Sequence, residues 1–318
     1  VLRDSTAAVD YITEAMDAHF DATAGQAPAF DIRHPAEQAL PMVVASPHSG
    51  RDYPPEFLAA ARLDGRTLRK SEDAYVDEIF AAAPDLGAPL LRARFPRAFL
   101  DANREAYELD PEMFADALPR YVNTRSPRVA AGLGTIARVV ANGEEIYRGK
   151  LRFADAAERV RRCYTPYHGA LAGLVDATTR RFGHCLLLDC HSMPSAGSGG
   201  SGGAAGSGSG GEARRVDIVL GDCFGSACAP AVTDTAERLL RARGYTVTRN
   251  APYAGGYTTR HYGRPRNGVH ALQIEINRDL YMDETTLDRL PFLPVLTQHM
   301  TDLLRTLGAI DATALRTR

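Results

Sequence analysis

Two histidines in this chain each stand two residues past the end of an apolar run, and acids stand close to both in the sequence. In "LLLDCHSMPS" (186–195) an apolar run ends in Asp189, and His191 comes two residues later. On an extended chain residues two apart point to the same side. The Asp189 carboxylate can therefore orient the imidazole or share a metal ion with it. The plainer alternative is a buried Asp that caps a loop, with the histidine facing solvent. His48 stands in "PHSG", just past "MVVAS" (42–46), and is either a turn residue or a ligand. Hydrolytic zinc sites take three N or O ligands and leave a position open for water. Two histidines then call for an acid, and "SEDAYVDE" (71–78) offers Glu72, Asp73, Asp77 and Glu78. The same acids also suit the first turn of a helix.

Three further stretches carry reactive groups. "QIEINRD" (273–279) puts Glu275 inside a strongly apolar strand, where a carboxylate must be paired, metal-bound or perturbed in pKa. An ion pair with Arg278 is the structural alternative. "FLDANRE" (99–105) groups Asp101, Asn103 and Arg104. An arginine fork there fits a carboxylate ligand or a surface salt bridge. "GGYTTRHYG" (255–263) has the glycines and mixed polar groups of a substrate loop, or of an ordinary turn. The GxSxG and GxGxxG spacings occur only inside the Gly/Ser run 197–211, which lacks the helix signals of an elbow or a dinucleotide fingerprint, and the chain has no phosphate-binding loop.

These groups have to be held by a scaffold. The hydrophobic pattern predicts an amphipathic helix over 6–20, strands at 42–46 and 89–95, and a helix over 73–83. A long helix follows over 153–182, interrupted at Pro166. Beyond it come strands at 185–189, 217–222, 245–250 and 269–278, with helices over 229–243 and 292–307. "CLLLD" (185–189) is an unbroken apolar run, as expected of a central strand covered on both faces. Alternating strands and helices predict an α/β fold: three layers, α/β/α, around a mixed, mostly parallel sheet. Polar residues near the carboxyl ends of such strands gather in one crevice. "GSGGSGGAAGSGSGG" (197–211) has almost nothing to bury and is expected to be a flexible loop or linker within a single domain of 318 residues.

Composition narrows the class. Apolar residues make up 45% of the chain, enough for a large core, and the net charge of −2 gives no field for nucleic acid or an anionic membrane. No apolar run approaches the length of a membrane span, and the opening residues lack the order of a signal peptide. Five cysteines without a CxxC suggest a reduced, cytoplasmic setting.

Taken together, "PHSGRDYP", "EDAYVDEIF", "LDANRE", "LLLDCHSMPS", "DIVLGD", "GGYTTRHYG" and "HALQIEINRDLYMDE" resemble the N-formylglutamate amidohydrolase family, in order and over most of the chain. The resemblance implies a fold similar to zinc-dependent carboxypeptidases and hydrolysis of a short N-acyl amino acid, N-formyl-L-glutamate in type, as in histidine degradation. It implies one divalent metal, zinc, on His48, His191 and an acid, Asp73 or its neighbour Glu72. Glu275 would be the general base, and Asn103 with Arg104 would hold the substrate carboxylate. Arg104 or Arg51 would face the developing oxyanion, and Tyr257, Thr259, Arg260 and His261 would line the substrate. The partner so implied is a small acyl-amino acid, with the oligomeric state left open. Two alternatives stand beside this: a related deacylase or carboxypeptidase for another acyl-amino acid or small peptide, and a non-catalytic metal- or carboxylate-binding protein on the same scaffold.

Overall fold

The computed structural model describes residues 28–140, 143–195 and 215–315. The helix expected over 6–20 and the Gly/Ser segment 197–211 lie outside them. The described residues build a seven-stranded sheet in the order β1-β3-β2-β4-β7-β5-β6. The strands are β1 (Phe30–Arg33), β2 (Met42–Ser46), β3 (Leu90–Ala93), β4 (Cys185–Met193), β5 (Ile218–Gly221), β6 (Val247–Arg249) and β7 (Val269–Asn277). The central run β3-β2-β4-β7 is parallel, while β1 joins β3 and β5 joins β7 in antiparallel fashion. The sheet is thus mixed and mostly parallel.

Side-chain alternation along each strand divides the core in two. Leu186, Leu188 and Cys190 of β4 and Leu272, Ile274 and Ile276 of β7 pack on one face with the helices Pro230–Ala242 and Leu293–Gly308. Cys185 and Leu187 of β4 and Ala271 of β7 join the opposite face, beneath Phe57, Leu68, Tyr167 and Leu171. Both faces are covered, which gives the three layers expected and explains why β4 is buried along its whole length. On the second face the apolar residues give way toward the carboxyl ends of the strands. There Asp189 and His191 of β4 stand beside Gln273 and Glu275 of β7, with Asp189 paired to Gln273 and His191 to Glu275 in the ladder.

Several elements differ from the expected ones for definite reasons. β4 runs on to Met193, because β7 pairs with it to that point, so His191 lies within the strand instead of after it. The helix expected over 73–83 shrinks to Val76–Ile79, and Tyr75 before it sits at φ 65. That left-handed residue costs backbone energy. It lets the chain turn between Asp73, whose N–H bonds the His48 carbonyl, and the helical residues that follow. Residues 153–182 are helical throughout, with a π turn at Val160–Tyr164 just before Pro166, which sits in the first turn of Thr165–Phe182. Proline lacks the N–H that would continue the ladder, so the local change falls there. The stretch 255–263 contains a helix, Tyr257–Tyr262, and is not simply a loop. β1 has no clear apolar signature; it is an edge strand held partly by Arg92 of β3, whose Nε lies 2.8 Å from Asp31.

Candidate metal centre and catalytic site

The three strongest sequence candidates converge. Asp73 Oδ2 lies 3.1 Å from His48 Nδ1 and 3.1 Å from His191 Nδ1, and the two Nδ1 atoms are 3.1 Å apart. All three residues are almost fully buried. Asp73, and not Glu72, completes this triangle. Glu72 turns away, accepting hydrogen bonds from Tyr53 Oη at 2.8 Å and from Arg69. Of the other acids in that stretch, Asp77 pairs with Arg92 and Glu78 with Arg289.

The outer face of each imidazole meets a second carboxylate. His48 Nε2 is 2.8 Å from Asp101 Oδ1, and His191 Nε2 is 2.8 Å from Asp189 Oδ1. An ionised carboxylate can only accept, so each Nε2 carries the proton and donates it. Once a cation displaces the second proton, each ring presents an unprotonated Nδ1 to the centre. Three lone-pair-bearing atoms facing one another at 3.1 Å repel unless a positive charge lies between them. Ligands about 2.0–2.1 Å from a tetrahedral zinc lie roughly 3.3–3.4 Å apart. The donor set and its spacing therefore fit a zinc-like cation, and the carboxylates behind the imidazoles complete the usual outer arrangement of such a site.

The charges around the triangle favour a cation too. Burial works against the ionised form of Asp73, but contacts with His191 and His48 outweigh it and hold the carboxyl well below its usual range. Asp101 is likewise held well below, burial being outweighed by Arg104, His48 and Arg97. Burial alone would push His191 down, yet Asp189, Asp73 and Glu275 together raise it well above the ordinary imidazole range.

Glu275 stands beside His191 on the neighbouring strand. Its Oε1 accepts from Gln273 Nε2 at 2.9 Å, and Gln273 is itself fixed by the Gly256 N–H. Among the described residues no ion pair holds it. Arg278, the partner that sequence suggested, points elsewhere: its Nη2 donates to Asp73 Oδ1 at 3.0 Å and its Nε to Ser192. Burial, partly offset by His191, pushes Glu275 up to about 7. A carboxyl in that range can take and return a proton near neutral pH.

The remaining candidates fall into three places. Asn103 lies behind the centre, with Nδ2 3.0 Å from His191 Nε2 and Oδ1 accepting from the Thr258 N–H at 2.8 Å. Thr259 Oγ1 donates to Asp189 at 3.1 Å. Arg104, expected to clamp a carboxylate, turns inward. Its Nε donates to the Leu133 carbonyl, its Nη1 to the Asn103 carbonyl, and its Nη2 lies 3.5 Å from Asp101. Arg51 is directed to Asp77 and Glu78, 3.4 Å from each. Tyr257, Arg260 and His261 occupy the helix Tyr257–Tyr262, where the His261 ring stacks on Tyr257.

Gly256, at the head of that helix, is required by contact. A β-carbon there would lie 2.2 Å from Asn103 Nδ2. Gly50 is required in the same way after His48, where a β-carbon would meet the Phe95 carbonyl oxygen at 2.1 Å.

Sequence reasoning passed over Arg97. Its Nε donates to Asp101 at 3.0 Å, its Nη1 is 3.7 Å from Asp73, and its side chain keeps 26% exposure. The residue stands among apolar neighbours in "RFPRAFL", with nothing in the pattern to mark it.

Comparisons with known proteins give the family and the fold. Residues 40–282 match the N-formylglutamate amidohydrolase family. An N-formylglutamate deformylase of Pseudomonas aeruginosa is 30% identical over 249 residues, covering 77% of this chain and 83% of that protein. One from Pseudomonas putida is 28% identical over 251 residues, with the same coverage. The crystal structure of an N-formylglutamate amidohydrolase from Ralstonia eutropha superposes with a TM-score of 0.80 at 37% identity, over 89% of this chain and 98% of that one. A gene product of Agrobacterium tumefaciens shares the fold at 17% identity, with a TM-score of 0.63 over 88% of this chain and 95% of its own.

Proposed function

Since this chain belongs to the N-formylglutamate amidohydrolase family and is an amidohydrolase, we propose that it hydrolyses the amide of a short N-acyl amino acid, N-formyl-L-glutamate in type, to formate and the free amino acid. One observation carries the reading: a buried triangle of two imidazole nitrogens and a carboxylate oxygen, and beside it a carboxyl that accepts from Gln273 and forms no ion pair among the described residues. His48, Asp73 and His191 would hold one divalent metal. Two nitrogens and one oxygen suit zinc. Such a cation, when bound, supplies Lewis acidity toward a carbonyl oxygen and toward water.

The protein's own groups do the rest. Asp101 and Asp189 hold the imidazoles in the tautomer that presents Nδ1 inward. Glu275 takes a proton from the attacking water as its oxygen bonds to the acyl carbon. The same carboxyl then returns that proton to the amide nitrogen as the C–N bond breaks, because an unprotonated amine leaves poorly. Arg97, with its exposed edge beside Asp73 and Asp101, is suited to face the charge that develops on the acyl oxygen. Arg104 and Asn103 support this arrangement from behind: Arg104 bears on Asp101, and Asn103 bears on Asp189 and His191.

The test is a formate-release assay on metal-loaded and chelated protein, with N-formyl-L-glutamate as substrate. Formate should appear only from the loaded protein, and elemental analysis should find about one metal per chain. Undiminished turnover in the chelated, metal-free protein would overturn the metal-dependent reading.

A further inference from the structure

Next to this centre is a cavity of about 420 Å³ lined by Glu105, Glu108, Asn123, Ser126, Arg128, Tyr257 and Arg260, together with Pro127. That size suits a small ligand. It adjoins the site through Asn103: the Tyr257 N–H reaches the Asn103 carbonyl at 3.4 Å, and the Asn103 side chain touches His191.

The two acids on its wall are already engaged. Asn123 Nδ2 donates to Glu105 at 2.9 Å, and Ser126 Oγ donates to Glu108. The two arginines are not matched to them. Among the described residues no carboxylate lies within ion-pair distance of Arg128 or Arg260, and the one hydrogen bond of the Arg260 guanidinium goes to the Gly255 carbonyl. Arg128 is part-buried, and burial together with the Arg260 charge disfavours its protonated form more than the charges of Glu108 and Asp101 favour it. Two guanidinium groups that repel across a small cavity favour an anion between them, and a planar carboxylate is the shape their forks fit.

We propose that Arg128 and Arg260 form a subsite for the side-chain carboxylate of the substrate, so that the enzyme selects N-formyl amino acids with an acidic side chain over their uncharged isosteres. This rests on the deformylase reading above and adds to it the residues that distinguish glutamate from glutamine.

The experiment compares kcat/KM for N-formyl-L-glutamate and N-formyl-L-glutamine in the metal-loaded wild type, Arg128→Gln, Arg260→Gln and Arg128→Lys, and adds calorimetric titration with the products L-glutamate and L-glutamine. The wild type should prefer the glutamate substrate about 10- to 100-fold, the scale of one or two charge-assisted hydrogen bonds. Each Gln variant should lose most of that preference through the glutamate substrate, chiefly in KM, and Arg128→Lys should recover part of it. L-glutamate binding should weaken in parallel. Arg260 is exposed, so its variant tests the idea even where Arg128→Gln folds poorly.

A wild type that releases formate equally from both substrates, or variants that slow both equally, would overturn the subsite while leaving the deformylase reading in place. If no formyl amino acid is cleaved, yet L-glutamate binds and Arg128→Gln weakens it, the subsite stands and the deformylase reading falls.

Discussion

Asp101 and Asp189 decide what the two imidazoles can do. By accepting from Nε2 each favours one tautomer, and so each would set which nitrogen meets a cation. Asp101→Asn removes the ionised acceptor and frees the ring to flip its proton inward. Metal affinity, measured by competition with a chromophoric chelator, should fall about 10- to 100-fold. Glu275→Gln should behave oppositely, keeping the metal while kcat drops about 10²- to 10⁴-fold. An unchanged kcat in that variant would reduce Glu275 to a structural member of the Gln273 hydrogen bond. Arg104 is a useful contrast, since its guanidinium is spent on the Leu133 and Asn103 carbonyls. Arg104→Ala should therefore slow charged and uncharged formyl substrates to the same degree, which paired kinetics would show. A loss confined to the charged substrate would restore it as a clamp.

At the level of elements, the strands were legible where burial is complete. β2, β4, β5 and β7 are runs of apolar residues with no competing pattern, and the polar residues interrupting them, Asp189, His191 and Glu275, stood out against that background. Elements shaped by their contacts were harder to read. Val76–Ile79 is short because Asp73 must reach the histidines, and Tyr257–Tyr262 is helical because its first N–H groups dock on Asn103, a residue more than 150 positions away. Arg97 and Arg128 left no sequence signal, since an arginine's role depends on which acids the fold brings to it. His270 offers a test at this scale. It joins β7 to the start of Pro230–Ala242 by accepting the Ala229 N–H on Nδ1, and burial, with His184 nearby, lowers it to about 4. The unfolded chain protonates this ring near 6.5 and the folded one only near 4. Its contribution to stability is therefore present above about pH 6.5 and is lost as the pH falls toward 4. Urea midpoints at pH 7.5 and 5.0 should show the wild type losing more stability than His270→Gln over that interval. Parallel pH dependence in the two proteins would refute this.

Across the whole molecule, the centre joins distant parts of the chain: His48 and Asp73 near one end of the described sequence, His191 at its middle, and Glu275 close to the other end. Metal binding should consequently stabilise the folded state as a whole. At a hundredfold excess over Kd the gain is about 2.7 kcal/mol. For a protein of this size that corresponds to a Tm increase of roughly 4 °C. Calorimetry with and without chelator should show the shift, and His191→Ala should abolish it. The position of β7 has a further consequence, for biosynthesis. This strand is the last of the seven in sequence, yet it is inserted between β4 and β5. A nascent chain leaving the ribosome therefore carries β4 with one long edge unoccupied until Val269–Asn277 emerges. An apolar strand with open backbone groups is a template for pairing with other chains. A polypeptide stopped at Gly268 should accordingly be recovered with chaperones or in inclusion bodies, and supplying residues 269–315 as a separate segment should return part of it to solution. The solubility of the nascent chain would then depend on how quickly Val269–Asn277 is translated.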